Sequence, residues 1–307
     1  MKKSLSIIIV TYNSEDVILP CIDSITASLV ESNSNAEIII IDNASIDHTV
    51  GIVAGKYPAA RYNVNTKNRG FAAAVNQGIA LAGGEYIFLL NPDTVLERSF
   101  FTVLNNHLET LWRPAVIGCR MMAMDGSRQL STWKNPTLLT LLMEMFLPYN
   151  TSLILVTEHP ESTGEVATVS GGAMIFNKEI ATAIGGFDEN YFMYIEDLDF
   201  CLRAKKAGYS ISFLNNASVR HVGGKSSWVN PGAFFTNYYS SKLWFFRKHC
   251  STASFVFAIL LIDLGCVIRI VVYGVAGIMK KNLWRLSSAH IHALPKIFRY
   301  GNSLLRN

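Results

Sequence analysis

Residues 5–43 read LSIIIVTYNSEDVILPCIDSITASLVESNSNAEIIIIDN, and this stretch sets the architecture. Leu5–Val10 is a short apolar run rich in β-branched residues, the pattern of a strand buried on both faces. Asn13 or Ser14 can cap a helix that runs to about Val30, with Val17, Ile18, Cys21, Ile22 and Ile25 along one side. Ile38–Ile41 forms a second buried strand and ends in Asp42-Asn43. Further out, Ser45 caps a short helix closing near Gly55, and Glu85–Leu90 is another strand, ending in Asn91-Pro92-Asp93. Strand alternating with helix predicts βαβ units and an α/β fold on a mostly parallel sheet.

Ligands of open α/β sheets gather at the carboxyl ends of the strands. Two of the three strands end there in an acid, Asp42 directly and Asp93 three residues past Leu90. A nucleotide or a metal would use such carboxylates, although Asp and Asn are also ordinary turn residues. Asn68–Gly78 reads NRGFAAAVNQG. A glycine followed by small residues lets a helix start close to a ligand or another backbone. Neither GxGxxG nor the P-loop signature occurs, so those two nucleotide-binding readings lack their motif.

At 307 residues the chain has room for one large α/β domain with an appendage. Half of the residues are hydrophobic and 16% are charged, which excludes a disordered chain and suggests membrane contact. The five cysteines are odd in number and form no CxxC pair, so a reducing compartment is expected and a disulfide framework or zinc knuckle is not. The Leu5–Val10 run is too short for a signal-peptide core, which places the expected location in the cytosol.

Charge is uneven. Residues 242–307 hold ten Lys or Arg and one acid, Asp263, a net of +9, while the other residues hold seventeen basic and twenty-two acidic side chains, a net of −5. The basic residues flank a greasy run, Ser254–Met279, whose only charges are Asp263 and Arg269. That layout suits an anionic membrane surface and not nucleic acid. The expected division is therefore an α/β domain at 1–240 and a basic, apolar helical tail at 241–307. The tail is long enough to span a bilayer, and a helix lying in the leaflet, held by its basic flanks, fits at least as well. The alternative is a buried helix packed against the first domain or against a second subunit of a homo-oligomer. Residues 120–165 show a hairpin turn at Asp125-Gly126 and an apolar helical piece, Thr137–Leu147, but no evident chemistry.

The densest chemistry begins at Val169. Gly171-Gly172 precedes a strand at Ala173–Phe176, Gly185-Gly186 ends a short helix, and an aromatic loop leads into Glu196-Asp197-Leu198-Asp199. Acids in a first helical turn complement the helix dipole, and Asp199 has Arg203 at i+4 for a surface pair. Glu196 and Asp197 have no such partner, and an acid at a rim of aromatics is a candidate general base. His221 precedes a Gly/Ser stretch containing Lys225, the composition of a lid over a charged ligand.

In their order these motifs resemble glycosyltransferase family 2, and within it the bacterial rhamnosyltransferase-like members of cell-surface polysaccharide assembly. The resemblance covers roughly residues 4–230. It rests on Thr11-Tyr12-Asn13, Asp42-Asn43-Ala44-Ser45, Asn68-Arg69-Gly70-Phe71 with Asn76, and Asn91-Pro92-Asp93. Ser170-Gly171-Gly172, Gly186-Phe187-Asp188, Tyr194–Asp199 and His221 complete the set.

The resemblance implies a GT-A-type, Rossmann-like nucleotide-sugar domain. Asp42 would contact the base or ribose. Thr11, Asn13, Asn68, Arg69, Gly70, Asn91, Gly172 and Lys225 would join it in binding the nucleotide-sugar. Asp93 falls at the family's metal position, with His221 as a metal or diphosphate ligand, and Asp197 matches the base, with Glu196 beside it. Where the family's metal motif often has two acids, Asn91 stands at the first position. A divalent cation, Mg²⁺ or Mn²⁺, can be held by one carboxylate plus phosphates, and an Asp–His pair suits Mn²⁺ slightly better.

The activity so implied is inverting transfer of a sugar, L-rhamnose from dTDP-rhamnose, to a lipid-linked saccharide in O-antigen or related synthesis. The setting would be the cytoplasmic face of the inner membrane. The alternatives are a UDP-hexose or other nucleotide-sugar donor, and a non-catalytic saccharide- or nucleotide-binding subunit.

Overall fold

The computed structural model describes residues 4–111, 113–147, 160–223, 230–278 and 281–306. The chain divides into two compact units. One comprises Met1–Lys134, Glu158–Glu189 and Glu196–Gly223; the other comprises Asn135–Thr157, Asn190–Ile195 and Gly224–Asn307.

In the first unit, β1 (Leu5–Thr11), β2 (Ala36–Asp42), β3 (Arg61–Val64) and β4 (Tyr86–Leu90) are parallel neighbours in the order β3-β2-β1-β4. Ile7 and Ile9 enter one hydrophobic cluster, Ile8 and Val10 the other, because successive strand side chains alternate in direction. Both faces are covered, so the run is apolar throughout. The first face carries α1 (Ile18–Glu31) and α4 (Phe100–Thr110), which contribute Ile22, Ile25, Phe100 and Leu104. A short α2 (Thr49–Lys56) adds Val53 to the same cluster.

The opposite face carries α3 (Phe71–Leu81), α6 (Lys178–Ile184) and α7 (Glu196–Lys206), with Val75, Ile180 and Phe200 inward. Small residues let α3 sit tightly on β1, for a Cβ placed on Gly78 would stand 2.5 Å from the Ile8 methyl Cγ2.

Past β4 the sheet becomes mixed. β11 (Ala173–Asn177) runs antiparallel to both β4 and β6 (Ala115–Met122). β12 (Ser210–His221) is parallel to β6, and β5 (Thr94–Leu96) pairs antiparallel with β12 at the edge. Two more short strands decorate this half, and two others form a ribbon of their own. β7 (Arg128–Gln129) extends β6 through the Asp125-Gly126 turn, and β9 (Gly164–Glu165) pairs with β12. β8 (Thr132–Trp133) pairs with β10 (Thr168–Val169) in a separate ribbon.

Two strand registers bring distant residues together at the carboxyl edge. Leu90 opposite Ala173 sets Asn91 against Gly172, and Thr94 opposite His221 sets Asp93 against that histidine.

Two helix starts differ from expectation. α1 begins at Ile18 with no side-chain cap. The Asn13 amide oxygen instead accepts from the Ile46 N–H at 2.9 Å, and the Ser14 N–H donates to Thr49 Oγ1 at 2.8 Å. α2 begins at Thr49 and not after Ser45, because Asp47 Oδ1 accepts from the Thr49 amide at 3.0 Å while Ser45 bonds Asp42. In both cases polar residues that could cap a helix tie two loops together instead.

The second unit is helical: α5 (Leu138–Phe146), α8 (Pro231–His249), α9 (Thr252–Gly277) and α10 (Lys281–Arg306). Its core includes Leu141, Met145, Leu243, Phe255, Ile262 and Ile297. Thr137 caps α5, its hydroxyl accepting from the Thr140 amide at 3.1 Å. α9 covers most of the apolar run foreseen at Ser254–Met279 and is long and apolar enough to cross a membrane. Met279 and Lys280 lie outside the described residues. Arg269 of α9 is not stranded in apolar surroundings, since it donates to the Tyr239 hydroxyl at 2.6 Å and to the Glu144 carbonyl. Lys242 forms an ion pair with the Glu144 carboxylate.

Candidate active site

The carboxyl edge of the sheet collects the residues singled out by the sequence. At the end of β1, the Thr11 hydroxyl donates to Asp42 Oδ1 at 2.8 Å. Ser45 donates to Asp42 twice, from its amide at 2.9 Å and from its hydroxyl at 2.6 Å. Asp42 is only 1% exposed, and both its oxygens are engaged by this loop.

Asn43 then links that loop to the Asn68–Phe71 turn. Its side chain donates to the Gly70 carbonyl at 3.0 Å and accepts from the Arg69 amide at 3.0 Å. Asn68 Oδ1 accepts from the Gly70 amide, and Gly70 opens α3 at φ 84°, a conformation glycine adopts freely. Thr11, Asp42, Asn68, Arg69 and Gly70 thus form one bonded edge, with Asn13 attached through Ser45 and Ile46.

A second group forms where β4 ends. His221 Nε2 stands 3.2 Å from Asp93 Oδ1, and the Gly223 amide donates to Asp93 Oδ2 at 3.3 Å. The Val222 amide also donates to the Asp93 carbonyl at 2.9 Å. Burial pushes the Asp93 carboxyl up, but the hydrogen bond and charge of His221 outweigh it and hold the group below the usual carboxylate range.

Gln129 fixes the other side of the ring. Its amide nitrogen donates to the His221 carbonyl at 3.0 Å, which turns Oε1 toward Nδ1 at 2.8 Å. A carbonyl oxygen there requires the proton on Nδ1, leaving Nε2 aimed at Asp93. This is how an imidazole is oriented when its other nitrogen is a metal ligand. Among the described residues no cluster of three or more His, Cys, Asp or Glu could hold an ion. A cation here would therefore have Asp93 and His221 as its protein ligands, with phosphate oxygens and water completing the shell, and this donor set fits Mg²⁺ or Mn²⁺.

The third group lies at the start of α7. The chain enters it through two consecutive left-handed residues, Tyr194 at φ 73° and Ile195 at φ 69°. For a β-branched residue this conformation costs about 1–3 kcal/mol and persists only where neighbours enforce it. Asp197 Oδ2 accepts from the Gly171 amide at 3.0 Å and Oδ1 from the Leu198 amide at 2.9 Å. Desolvation raises the Asp197 carboxyl, and these N–H donors partly offset the rise.

Glu196 is 6% exposed, and its Oε2 has no hydrogen-bond partner among the described residues. Burial first, and the neighbouring Asp197 charge second, push Glu196 well above the usual carboxylate range. Two adjacent acids are thus pushed apart: Glu196 toward keeping its proton, Asp197 better able to lose one.

Because the folded-state affinity of Glu196 for its proton is raised, its ionisation opposes folding as pH rises. Glu196→Gln should therefore melt at a higher temperature than the parent in alkaline buffer. The gap should close in acid, as read by calorimetry across a pH series.

Backbone joins the second and third groups. The Asn91 amide donates to the Gly172 carbonyl at 2.9 Å, and the Gly171 amide donates to Asp197. A Cβ on Gly172 would come within 3.2 Å of the Asn91 side chain and 3.3 Å of Met121. The edge therefore joins the Asp93–His221 pair and the Asp197 carboxylate through one dipeptide, Gly171-Gly172. A carboxylate–imidazole pair can bind a cation, and a carboxylate can accept a proton.

A family model described as glycosyl transferase family 2 matches residues 6–185. The chain belongs to glycosyltransferase family 2. It is a glycosyltransferase, and a second model, described as the N-terminal domain of galactosyltransferase, matches residues 151–223. The family assignment agrees with the curated relatives. The N-acetylglucosaminyl-diphospho-decaprenol L-rhamnosyltransferase of Mycobacterium tuberculosis is 26% identical over 260 residues, 78% of this chain and 83% of that protein. Rhamnosyltransferase WbbL of Escherichia coli is 25% identical, over 68% of this chain and 79% of its own.

Solved structures share the GT-A-type fold. Mannosyltransferase PcManGT of Pyrobaculum calidifontis, in complex with GDP-Man and Mn²⁺, aligns with a TM-score of 0.55 at 15% identity. The alignment covers 98% of this chain and 88% of that one. GalNAc-T7 with UDP, GalNAc and Mn²⁺ gives 0.57 at 14% identity, over 80% and 50%.

Within this family 2 fold, Gln129 is the site residue that the sequence did not announce. It sits on the two-residue strand β7, in a stretch with no periodicity. The expected Asp199–Arg203 surface pair is in fact internal. The Asp199 side chain is 0% exposed, and Arg203 also donates to the Ile184 and Gly186 carbonyls at 2.7 and 2.8 Å. The carbonyls left open at the end of α6 draw the guanidinium inward. Lys225 lies outside the described residues.

Proposed function

We propose that this glycosyltransferase moves L-rhamnose from dTDP-rhamnose to a lipid-linked saccharide, inverting the anomeric carbon, in O-antigen or related cell-surface glycan assembly. The setting is the cytoplasmic face of the inner membrane. The observation that carries the chemistry is Asp197, held by the Gly171 amide on a backbone link to Asn91 and the Asp93–His221 pair. The choice of sugar and of lipid-linked acceptor is supported by the names of the M. tuberculosis and E. coli relatives.

Asp93 and His221 would hold a divalent cation, which would supply positive charge to the leaving diphosphate. The Asp42 loop and the Asn68–Gly70 turn seat the nucleoside, with Thr11, Asn13, Asn91 and Gly172 contributing around it; Lys225 is kept as a nucleotide-sugar ligand on the sequence resemblance alone. Asp197 takes the proton from the acceptor hydroxyl at Oδ1 or Oδ2. Burial and the Asp197 charge raise the affinity of Glu196 for its proton, which disfavours two adjacent negative charges in the site. Orientation of His221 by Gln129 makes the metal affinity depend on an uncharged neighbour. Gln129→Leu should raise the metal concentration needed for half-maximal activity by about 10–100-fold, in a titration of Mn²⁺ against transfer rate.

The deciding experiment measures nucleoside-diphosphate release by purified protein across dTDP-rhamnose and a set of UDP-sugars. N-acetylglucosaminyl-diphospho-decaprenol serves as the acceptor, with and without Mn²⁺ or Mg²⁺. Release from dTDP-rhamnose alone supports the proposal. Release from a UDP-hexose alone replaces the donor while keeping the reaction class. Nucleotide binding without turnover of any donor would favour a non-catalytic binding subunit.

A further inference from the structure

The second unit exposes an unusual amount of apolar surface, and its arrangement is ordered. α9 turns Phe257, Leu260, Leu264, Val267, Val271 and Val275 outward at 46–64% exposure. These positions lie three or four apart and so form one face of the helix. Its other sides are occupied. Arg269 reaches Tyr239 of α8, Gly265 lies against Met145 of α5, and Gly277 lies against Trp284 of α10. α9 is therefore the middle of a layer, with α5 on one flank, α10 on the other and α8 beneath.

The flanking helices continue the outward surface. α5 exposes Leu139, Leu142 and Phe146. On α10, Trp284, Ile291, Phe298 and Leu305 recur every seven residues at 46–53% exposure. One position further on, Arg285, His292, Arg299 and Arg306 repeat at the same interval and are exposed as well.

The side of α10 that meets α9 is marked by two contacts. The Ser287 hydroxyl donates to the Ile270 carbonyl at 2.9 Å, and Gly301 faces Ile259. At 100° per residue, the Trp284 line lies nearer to that side, and the three arginines of the Arg285 line lie on the far side. The surface thus runs from apolar at its centre to cationic along one rim.

We infer that this three-helix face is a membrane-docking plate that lies flat on an anionic lipid leaflet, with α9 in the plane of the interface and not across it. The inference rests on the membrane setting proposed above and specifies how it is achieved. At 26 residues α9 is about 39 Å long, so the plate presents a broad apolar footprint. A crossing helix would meet lipid all round, whereas α9 has one apolar face open and the rest packed, with Arg269 bonded into the protein. Apolar side chains at the acyl boundary beside a row of cations at headgroup level is the signature of an interfacial helix. The cation row is what selects an anionic leaflet over a second copy of the same basic surface, which it would repel.

The test uses full-length protein and flotation with vesicles of phosphatidylethanolamine and phosphatidylglycerol, compared with pure phosphatidylcholine. Binding should be at least tenfold tighter to the anionic vesicles and weaken with salt. Ile291→Glu combined with Phe298→Glu should lower it at least tenfold. Arg299→Gln combined with Arg306→Gln should remove only the anionic preference.

Topology is read with a membrane-impermeant maleimide on protein bound to sealed vesicles. Cys250, just before α9, and a cysteine placed by Ile278→Cys just after it should both react from the same side. Reaction from opposite sides would overturn the in-plane arrangement. Loss of a lipid-free dimer in the Glu variants, with vesicle binding unchanged, would overturn the lipid assignment. Donor turnover in detergent is measured on every variant, so failure of the plate is separable from failure of the glycosyltransferase reading.

Discussion

Asp197→Asn should lower the transfer rate by about 10²–10⁴-fold, the usual contribution of a positioned general base. Its donor affinity should stay within about twofold of the parent, because a group that acts in the transition state contributes little to ground-state binding. The substitution keeps the size of the side chain and one acceptor oxygen for the Gly171 amide, so the link to β11 survives. Single-turnover transfer assays and nucleotide titrations on the same preparation check both halves. Loss of donor binding by a folded variant would move Asp197 out of the base role.

The parent should also show a pH limb from the same group. Asp197 must be ionised to accept a proton, and its affinity for protons is raised above that of an ordinary aspartate. Activity should therefore fall as pH drops through a value higher than a free aspartate would give, and be retained above it. That limb should be absent from the residual activity of the Asn variant.

The second large effect concerns stability. Arg203→Met should destabilise the protein by about 3–5 kcal/mol, the cost of breaking a buried ion pair by removing one member. Asp199 is fully enclosed and bonded to Arg203 Nε at 2.6 Å. The same guanidinium closes the carbonyls of Ile184 and Gly186, so its loss also uncaps α6. Urea denaturation of Arg203→Met measures the loss. The double variant Asp199→Leu with Arg203→Met should recover much of it, since replacing a whole buried pair is far less costly than breaking one. Equal instability in both variants would assign the role to the carbonyl contacts alone.

Much of this architecture was legible in the chain. The apolar runs at Leu5–Val10 and Ile38–Ile41 announced buried strands and Glu85–Leu90 a further one, and the structure places strands at Leu5–Thr11, Ala36–Asp42 and Tyr86–Leu90 with helices on either side. The family motifs led to Asp93, His221 and Asp197; strand registers set Asp93 against His221 and Asn91 against Gly172, and the Gly171 amide holds Asp197.

What stayed hidden was set by tertiary contacts. Gln129 lies on a two-residue strand too short to leave a pattern, and its partner is 92 residues away. Asp199 and Arg203 obey the rule for a surface pair at i+4, yet the end of α6 buries them. Asn13 and Ser45 look like helix caps because capping and loop-tying use the same short polar side chains.

The Gly171-Gly172 link has a consequence for how such enzymes diversify. It meets Asn91 and Asp197 through its own main-chain atoms, so the separation between these two residues does not depend on which side chains line the rest of the edge. A descendant could exchange the residues that distinguish one sugar from another and keep the backbone spacing it inherited. Selection on substrate choice and selection on rate would then act on different parts of the chain, which leaves this scaffold free to acquire new donors by changes that do not slow the reaction.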